Sequence, residues 1–403
     1  MISVEEALGR IVAPFTPLAA EWVHLGAAHG RVLAADVAAL RDQPPRDVSA
    51  MDGYAVRAAD LAAGGARLRV VGDAPAGRSF AGTLAAGEAV RIFTGGALPE
   101  GADAIALQEN ARRSGEWVEL EGAIEPGTYV RQAGLDFRQG EVGLPAGKRL
   151  GARDLGLAAA LNRAWLPVRR RPRIGLLATG DELILPGGPL APDQIASSNA
   201  VALAAMVEAW GGLATDLGIV ADQPVALAEV VRDLRGLDLL VTLGGASVGE
   251  HDLIRAVLGE RGLELDFWRI AMRPGKPLMF GRIGEVPLLG LPGNPVSAGV
   301  CAILFLRAII CRLLGLDPAP PLVPAVLGGT LGPNDRRQDY LRASARRLAD
   351  GRLEAHPVEL QDSSMLATFA RADCLVERAP FAPAMAPGTP VRVLPLGLAP
   401  LGV

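Results

Sequence analysis

Between residues 174 and 244 the sequence alternates short buried-type runs with segments of helical spacing, and no other feature of the 403 residues limits the fold as tightly. Ile174–Ala178 reads as a strand, Asn199–Trp210 as a helix closing at Gly211-Gly212, and Leu217–Val220 as a strand. Val225–Leu234 follows as a helix, and Asp238–Leu243 as a strand that runs into Gly244-Gly245. This order predicts a central doubly wound, mostly parallel α/β domain with helices on both faces. Such sheets bind ligands at the carboxyl ends of their strands. The phrases Thr179-Gly180-Asp181-Glu182-Leu183 and Gly244-Gly245-Ala246-Ser247-Val248-Gly249 both begin at such ends.

The flanks read differently. Residues 3–40 have helical spacing at Val4, Leu8, Ile11 and Val12, then at Leu33 and Val37, until Pro44 and Pro45 stop the run. Short strands divided by glycines follow: Leu68–Val71, Val90–Phe93, Ala104–Leu107, Trp117–Leu120 and Tyr129–Val130. Residues 141–168 return to helix, chiefly Leu155–Trp165. Beyond Pro318-Ala319-Pro320-Pro321, Tyr340–Leu348 and Arg352–Leu360 flank an Asp350-Gly351 turn as a β-hairpin, and Val391–Leu394 is a last strand. Single cores seldom grow past roughly 250–300 residues, so four domains are expected. They are 1–45 with 141–172 (a discontinuous helical linking domain), 46–140 (β-rich), 173–317 (α/β) and 318–403 (a C-terminal β-barrel-like domain).

Composition excludes several function classes. A net charge of −4, with Lys and Arg dispersed, argues against nucleic acid as a partner. The one basic cluster, Arg169, Arg170, Arg171 and Arg173, reads as a linker or interdomain contact rather than a phosphate site. Cys301, Cys311 and Cys374 share no metal-ligand spacing and make no disulfide framework. The first residues lack the blocks of a signal peptide. The most apolar stretch, Val300–Leu316, carries Arg307 and Arg312 and falls short of a membrane span. A reducing cytoplasm and no membrane are the expectation.

Two further phrases, Ser49-Ala50-Met51-Asp52-Gly53-Tyr54-Ala55-Val56 and Gly290-Leu291-Pro292-Gly293-Asn294-Pro295, also set turn residues beside a carboxylate or amide. Each phrase has a plain structural reading. Thr179–Glu182 and Ser247–Glu250 both fit a capping box, a role compatible with presenting free helix-end amides to an anion. Asp52 suits a turn, Thr94-Gly95-Gly96 a loop, Asp136 a cap, and Asn294-Pro295 a helix start. Lys276 lies between Pro274 and Pro277, which favours a positioned cation over a solvated one.

The order and wording of these phrases resemble the molybdopterin molybdotransferase family, whose eukaryotic relative is the gephyrin E domain. The resemblance runs from about residue 3 to the C-terminus and is also clear at Val90–Pro99 and Gly101–Glu109. It implies an enzyme that inserts molybdate into adenylylated molybdopterin with release of AMP, and a homodimer whose cleft is shared between subunits. It implies contact with an adenylyltransferase partner and with apo-molybdoenzymes. Matched positions imply a catalytic set of Asp52, Thr94, Asp136, Glu182 and Asp252. They imply Mg²⁺ ligands at Asp52, Glu182, Asp222 and Asp252, hard oxygens that suit this cation. In this reading Asp52 and Asp252 do metal or proton work, and crowding of carboxylates holds one of them protonated. Substrate contacts would come from Gly180, Asp181, Gly244, Gly245, Ser247, Gly249, Arg273, Lys276, Pro292, Asn294 and Pro295, with Glu182 and Lys276 positioning the anion. The sequence departs from the family at Ala246, Gln223, Arg273 and Arg336. Two alternatives stand beside this: a molybdopterin adenylyltransferase, which lacks a counterpart to the flanking β domain, and a non-catalytic gephyrin-like scaffold.

Overall fold

Residues 1–221, 234–244 and 263–397 are described by the structure, a computed structural model. The chain passes back and forth between two units: Met1–Glu21, Gly30–Ala34 and Pro167–Val403 form unit 1, and Trp22–His29 with Ala35–Leu166 form unit 2.

The six-stranded sheet of unit 1 runs Leu213–Val220, Arg173–Thr179, Leu239–Leu243, Val286–Leu291, Met279–Ile283, Leu263–Trp268. Its first four strands are parallel, as the alternation predicts, and its last two are antiparallel. The period of two sends Ile174, Leu176 and Ala178 to one face, where they meet Val241, Leu243, Leu289 and Leu291. Helices Val4–Val12, Asn199–Ala209 and Pro295–Leu314 cover that face. Leu177, Leu240 and Leu288 point the other way, onto Val220, Met279 and Ile283. The helix expected at Val225–Leu234 lies, but for its last residue, outside the described residues.

Pro295–Leu314 is long and apolar enough to cross a membrane, yet 83% of it is buried inside the fold, so it is a core helix. Pro295 occupies its first turn, Ala302–Leu306 forms a π-helical segment within it, and Gly315 ends it in a left-handed conformation.

A closed five-stranded barrel completes unit 1: Gln338–Arg347, Leu353–Pro357, Val323–Leu327, Pro390–Pro395 and Cys374–Arg378, which pairs back onto Gln338–Arg347. Ala325, Ala343, Ala355, Val376 and Val393 fill it. The expected hairpin is present, with Arg347 opposite Leu353. Its second strand ends at Pro357, three residues early, and the chain then leaves the barrel. The two-residue strand Met272–Arg273 pairs onto Gln338–Asp339 and ties barrel to sheet.

Unit 2 is built on the sheet Ala104–Leu107, Gly53–Val56, Glu88–Ile92, Gly65–Ala74, Trp117–Glu121, Ala111–Ser114. Tyr54, Val56, Leu68 and Val118 pack on one face, and Ala55, Val90, Ile92 and Ile105 on the other. The latter half of the Ser49–Val56 phrase is therefore a fully buried strand.

Two helical expectations were too long. The first helix covers only Val4–Val12, capped by Ser3 Oγ accepting from Glu6 N at 3.0 Å. Pro14 and Pro17 end it by removing amide donors, and beyond a 3₁₀ turn at Leu25–Ala27 residues 20–40 are extended or irregular. The helix expected to reach Trp165 stops at Ala160. Asn162 takes a φ of 64°, and Trp165–Arg169 is a strand. The nearby arginine cluster is structural: Arg170 grips Asp238 at 2.6 and 2.7 Å, and Arg169 donates to Leu18 O at 2.8 Å.

Candidate functional site

A cavity of about 850 Å³ opens at the carboxyl ends of the parallel strands of unit 1. The strand Arg173–Thr179 delivers Thr179, Gly180 and Glu182; Leu239–Leu243 delivers Gly244; and Val286–Leu291 delivers Pro292, Gly293 and Asn294. The loop before Met279–Ile283 adds Arg273 and Lys276. Eight of the substrate- or metal-assigned positions, Gly180, Glu182, Gly244, Arg273, Lys276, Pro292, Asn294 and Pro295, thus line one cavity. Asp181 does not line it. Asp222, Gly245, Ser247, Gly249 and Asp252 lie outside the described residues.

The capping reading of Thr179–Glu182 does not hold. No helix follows: the chain turns and makes the two-residue strand Leu183–Ile184. Gly180 has φ 147°, and Pro186-Gly187-Gly188 follow within one helical turn of that strand. The Glu182 carboxylate instead folds back over Gly180, within 3 Å of where a Cβ would stand. Thr179 Oγ1, on a residue only 6% exposed, bonds to no atom of the described residues, so the cavity wall carries a hydroxyl with spare capacity among them.

Asn294 starts the long helix but does not cap it with its side chain. Its Nδ2 donates to Ser363 Oγ at 2.9 Å, leaving the Ser363 proton free to be donated elsewhere. Ser363 belongs to the segment that leaves the barrel after Pro357, and Gln361, Asp362 and Ser364 enter the cavity wall with it. Asp362 accepts from Ser364 Oγ and N at 2.6 and 2.8 Å, which holds its carboxyl below the usual range.

Arg337 also lines the cavity. Asp335 clamps its guanidinium, the shortest bond being 2.7 Å, and those bonds pull the Asp335 carboxyl down to about 2. Arg273 is engaged on the barrel side, by Asp339 at 2.5 Å and Asn334 at 3.1 Å. Lys276 forms no ion pair with any described residue. The cavity wall therefore carries two restrained guanidinium groups, Arg273 and Arg337, and one ammonium with no ion pair among the described residues.

Arg337 entered the sequence reading only beside the Arg336 departure, with no site role, and the Gln361–Ser364 stretch was not singled out. The available signals were the Asp335-Arg336-Arg337 run and a polar Gln-Asp-Ser-Ser phrase between two barrel strands.

Asp52, Thr94 and Asp136 belong to unit 2. Asp52 Oδ1 accepts from Thr94 N at 2.7 Å and Thr94 Oγ1 at 2.8 Å, joining two phrases 42 residues apart. The backbone bond leads and the hydroxyl follows in lowering the Asp52 pKa. Asp52 is thus an ionised carboxylate at neutral pH, not the protonated donor that crowding would make. Asp136 lines a second cavity, of about 520 Å³. Among the described residues no three carboxylate, imidazole or thiol groups assemble as a metal site. Mg²⁺ commonly uses one or two protein carboxylates plus substrate phosphates, and Glu182 meets that smaller demand.

Family models match almost the entire chain: the MoeA N-terminal region (domain I and II) over 2–162, a probable molybdopterin binding domain over 175–312, and the MoeA C-terminal region (domain IV) over 324–396. A molybdopterin molybdenumtransferase of Nostoc sp. is 38% identical over 83% of this chain and 79% of its own length. One of Haemophilus influenzae is 33% identical over 93% and 94%. The crystal structure of a molybdopterin biosynthesis MoeA protein from Pyrococcus horikoshii superposes with a TM-score of 0.86 at 31% identity, covering 98% of this chain and 99% of that one.

Proposed function

The chain belongs to the MoeA family of molybdopterin molybdenumtransferases, and from that premise we propose that molybdenum is inserted into molybdopterin in the 850 Å³ cavity of unit 1. The observation that carries this reading is one cavity lined by Lys276, which has no ion pair among the described residues, by clamped Arg337 and by the hydroxyls of Thr179 and Ser363. Molybdate is a tetrahedral dianion. An ammonium, a guanidinium fork and the Ser363 hydroxyl supply it with charge and directed donors.

The insertion balances without redox change. As the two dithiolene sulfurs bond to molybdenum, one oxide leaves as water, carrying off the two thiol protons. Lys276, Arg337 and Ser363 hold the oxyanion charge while this ligand exchange proceeds. The pterin substrate is taken as adenylylated, and cleavage of its phosphoanhydride by water releases AMP.

Glu182 would hold Mg²⁺ together with the substrate phosphates, Asp222 and Asp252 being the further ligands the sequence suggests. The cation would neutralise the phosphoanhydride oxygens. Asp52, fixed by Thr94, and Asp136 are the unit 2 members of the acidic set that the family resemblance names. A homodimer, transfer of cofactor to apo-molybdoenzymes and a cytoplasmic location complete the proposal; three buried free cysteines suit a reducing compartment.

The test is AMP release by purified protein given adenylylated molybdopterin, Mg²⁺ and molybdate. Release that needs molybdate, with matching gain of active cofactor, supports the insertion. AMP release indifferent to molybdate, or tight pterin binding with no release, contradicts it.

A further inference from the structure

The two guanidinium groups on the wall of the unit 1 cavity meet at one oxygen. Arg337 Nη2 donates to Asp335 Oδ2 at 2.7 Å, and Arg273 Nη1 approaches the same oxygen at 3.6 Å. Arg273 is pinned from its other side. The register of its two-residue strand sets it opposite Asp339, which is fully buried and accepts from Arg273 Nη2 at 2.5 Å. Asp339 Oδ1 finds no partner among the described residues, so releasing Arg273 would strand a buried charge. Arg337 lacks such an anchor: the side chain of its partner Asp335 is 45% exposed.

Asn334 joins the two. It is 9% exposed, and both ends of its amide are fully engaged. Oδ1 accepts from Arg273 Nη2 at 3.1 Å and from Asp335 N at 2.9 Å. Nδ2 donates to Arg337 O at 2.8 Å and to Ala379 O at 2.9 Å. With N–H groups at one end and carbonyls at the other, the amide has a single orientation. It fastens the guanidinium of one cavity residue to the main chain of the other. The main chain around it is tied down as well: Asn334 N donates to Ala382 O at 2.8 Å, and Phe381 N to Asp335 O at 2.7 Å.

We infer that Asn334 is a positioning residue for oxoanion binding, an inference that rests on molybdate being held in the unit 1 cavity. Asn334 does not line that cavity and acts through Arg273 and Arg337, which do. Among the described residues, Nη1 of neither arginine makes a hydrogen bond, so each keeps a donor group for the substrate. Asp335 and Asp339 balance the charges of the two arginines. What the pair contributes is therefore donors of fixed direction, ordered before the anion arrives and without the entropy cost of fixing free side chains.

The test is molybdate KM and kcat in molybdate-dependent AMP release, with melting temperature as the folding control. Calorimetric titration with molybdate alone makes the same comparisons without turnover. Asn334→Ala raises the molybdate KM roughly tenfold and leaves kcat within about twofold. In an Arg273→Ala/Arg337→Ala background the same substitution adds nothing, because the groups it positions are gone. Asn334→Asp keeps the acceptor for Arg273 and removes both donors to carbonyls; its KM also rises, and the rise also vanishes in that background. This second variant carries the test if Asn334→Ala does not fold. Unchanged molybdate binding in the Asn334 variants, or a rise that persists undiminished without the two arginines, overturns the inference. Lys276→Ala separates the two readings. If it raises the molybdate KM while the Asn334 variants do not, positioning alone has failed; if it too changes nothing, the assignment of the cavity has failed with it.

Discussion

Gly275 has a φ of 104°, and a Cβ there would run into Cys301 Sγ and Met272 Cε, both in the core beside the cavity. Gly275→Ala should cost about 1–3 kcal/mol and, by displacing Lys276, raise the molybdate KM more than it lowers kcat. An unchanged KM would dissociate the loop from the oxoanion. Asp335 makes a different kind of prediction. Its carboxyl falls from an ordinary 3.8 to about 2 because Arg337 bonds to it. A depressed folded pKa stabilises above the unfolded value and loses that stabilisation as pH falls through the folded one. Asp335→Asn should therefore lower the melting temperature at pH 7, by an amount that shrinks below about pH 4 and vanishes near pH 2. A pH-independent difference would mean that the clamp on Arg337 is not electrostatic. Lys276 was legible in the sequence because prolines on both sides marked it. The place of Arg337 and Ser363 in the cavity was not, because it depends on barrel closure that brings residues of no particular periodicity to the sheet edge.

At the scale of elements, the segment 358–366 links barrel to cavity. Arg342, 1% exposed, is its anchor: its Nε donates to Gln361 Oε1 at 3.2 Å, while Gln361 Nε2 returns bonds to Arg342 O and Val358 O at 3.0 and 2.8 Å. Arg342→Leu removes the side-chain donor to Gln361 Oε1, Met365 O and Leu360 O and should destabilise the protein by about 1–3 kcal/mol. Faster amide exchange should appear at 360–366 before anywhere else in the barrel, and uniform exchange would contradict the anchoring. The α/β order and the barrel hairpin were readable because burial on both faces, or a turn between alternating runs, leaves a local mark. The helices overran because apolar spacing alone does not register Pro14, Pro17 or the left-handed Asn162. The Gly53–Val56 strand was hidden inside a phrase that reads as a turn, since its packing against Glu88–Ile92 and Ala104–Leu107 is entirely nonlocal.

At the scale of the whole molecule, two units carry separate cores and divide the expected acidic set between them: Asp52 and Asp136 in one, Glu182 in the other. Ile105, fully buried in unit 2, tests their independence. Ile105→Ala should cost about 2–5 kcal/mol and shift one calorimetric transition while leaving a second in place; a single transition moving as a whole would contradict separate cores. Which groups share a sheet edge was legible from the phrases, but the partners of the charged groups were not, because they depend on which carboxylates the fold brings to amides and guanidinium groups. The most direct test of insertion in unit 1 is a crystal soaked in molybdate and measured at the molybdenum absorption edge. An anomalous peak between Lys276, Arg337 and Ser363, absent after Lys276→Ala, is the expected result. A peak elsewhere, or one at this cavity that Lys276→Ala leaves intact, would show that these residues are not what holds the metal oxoanion.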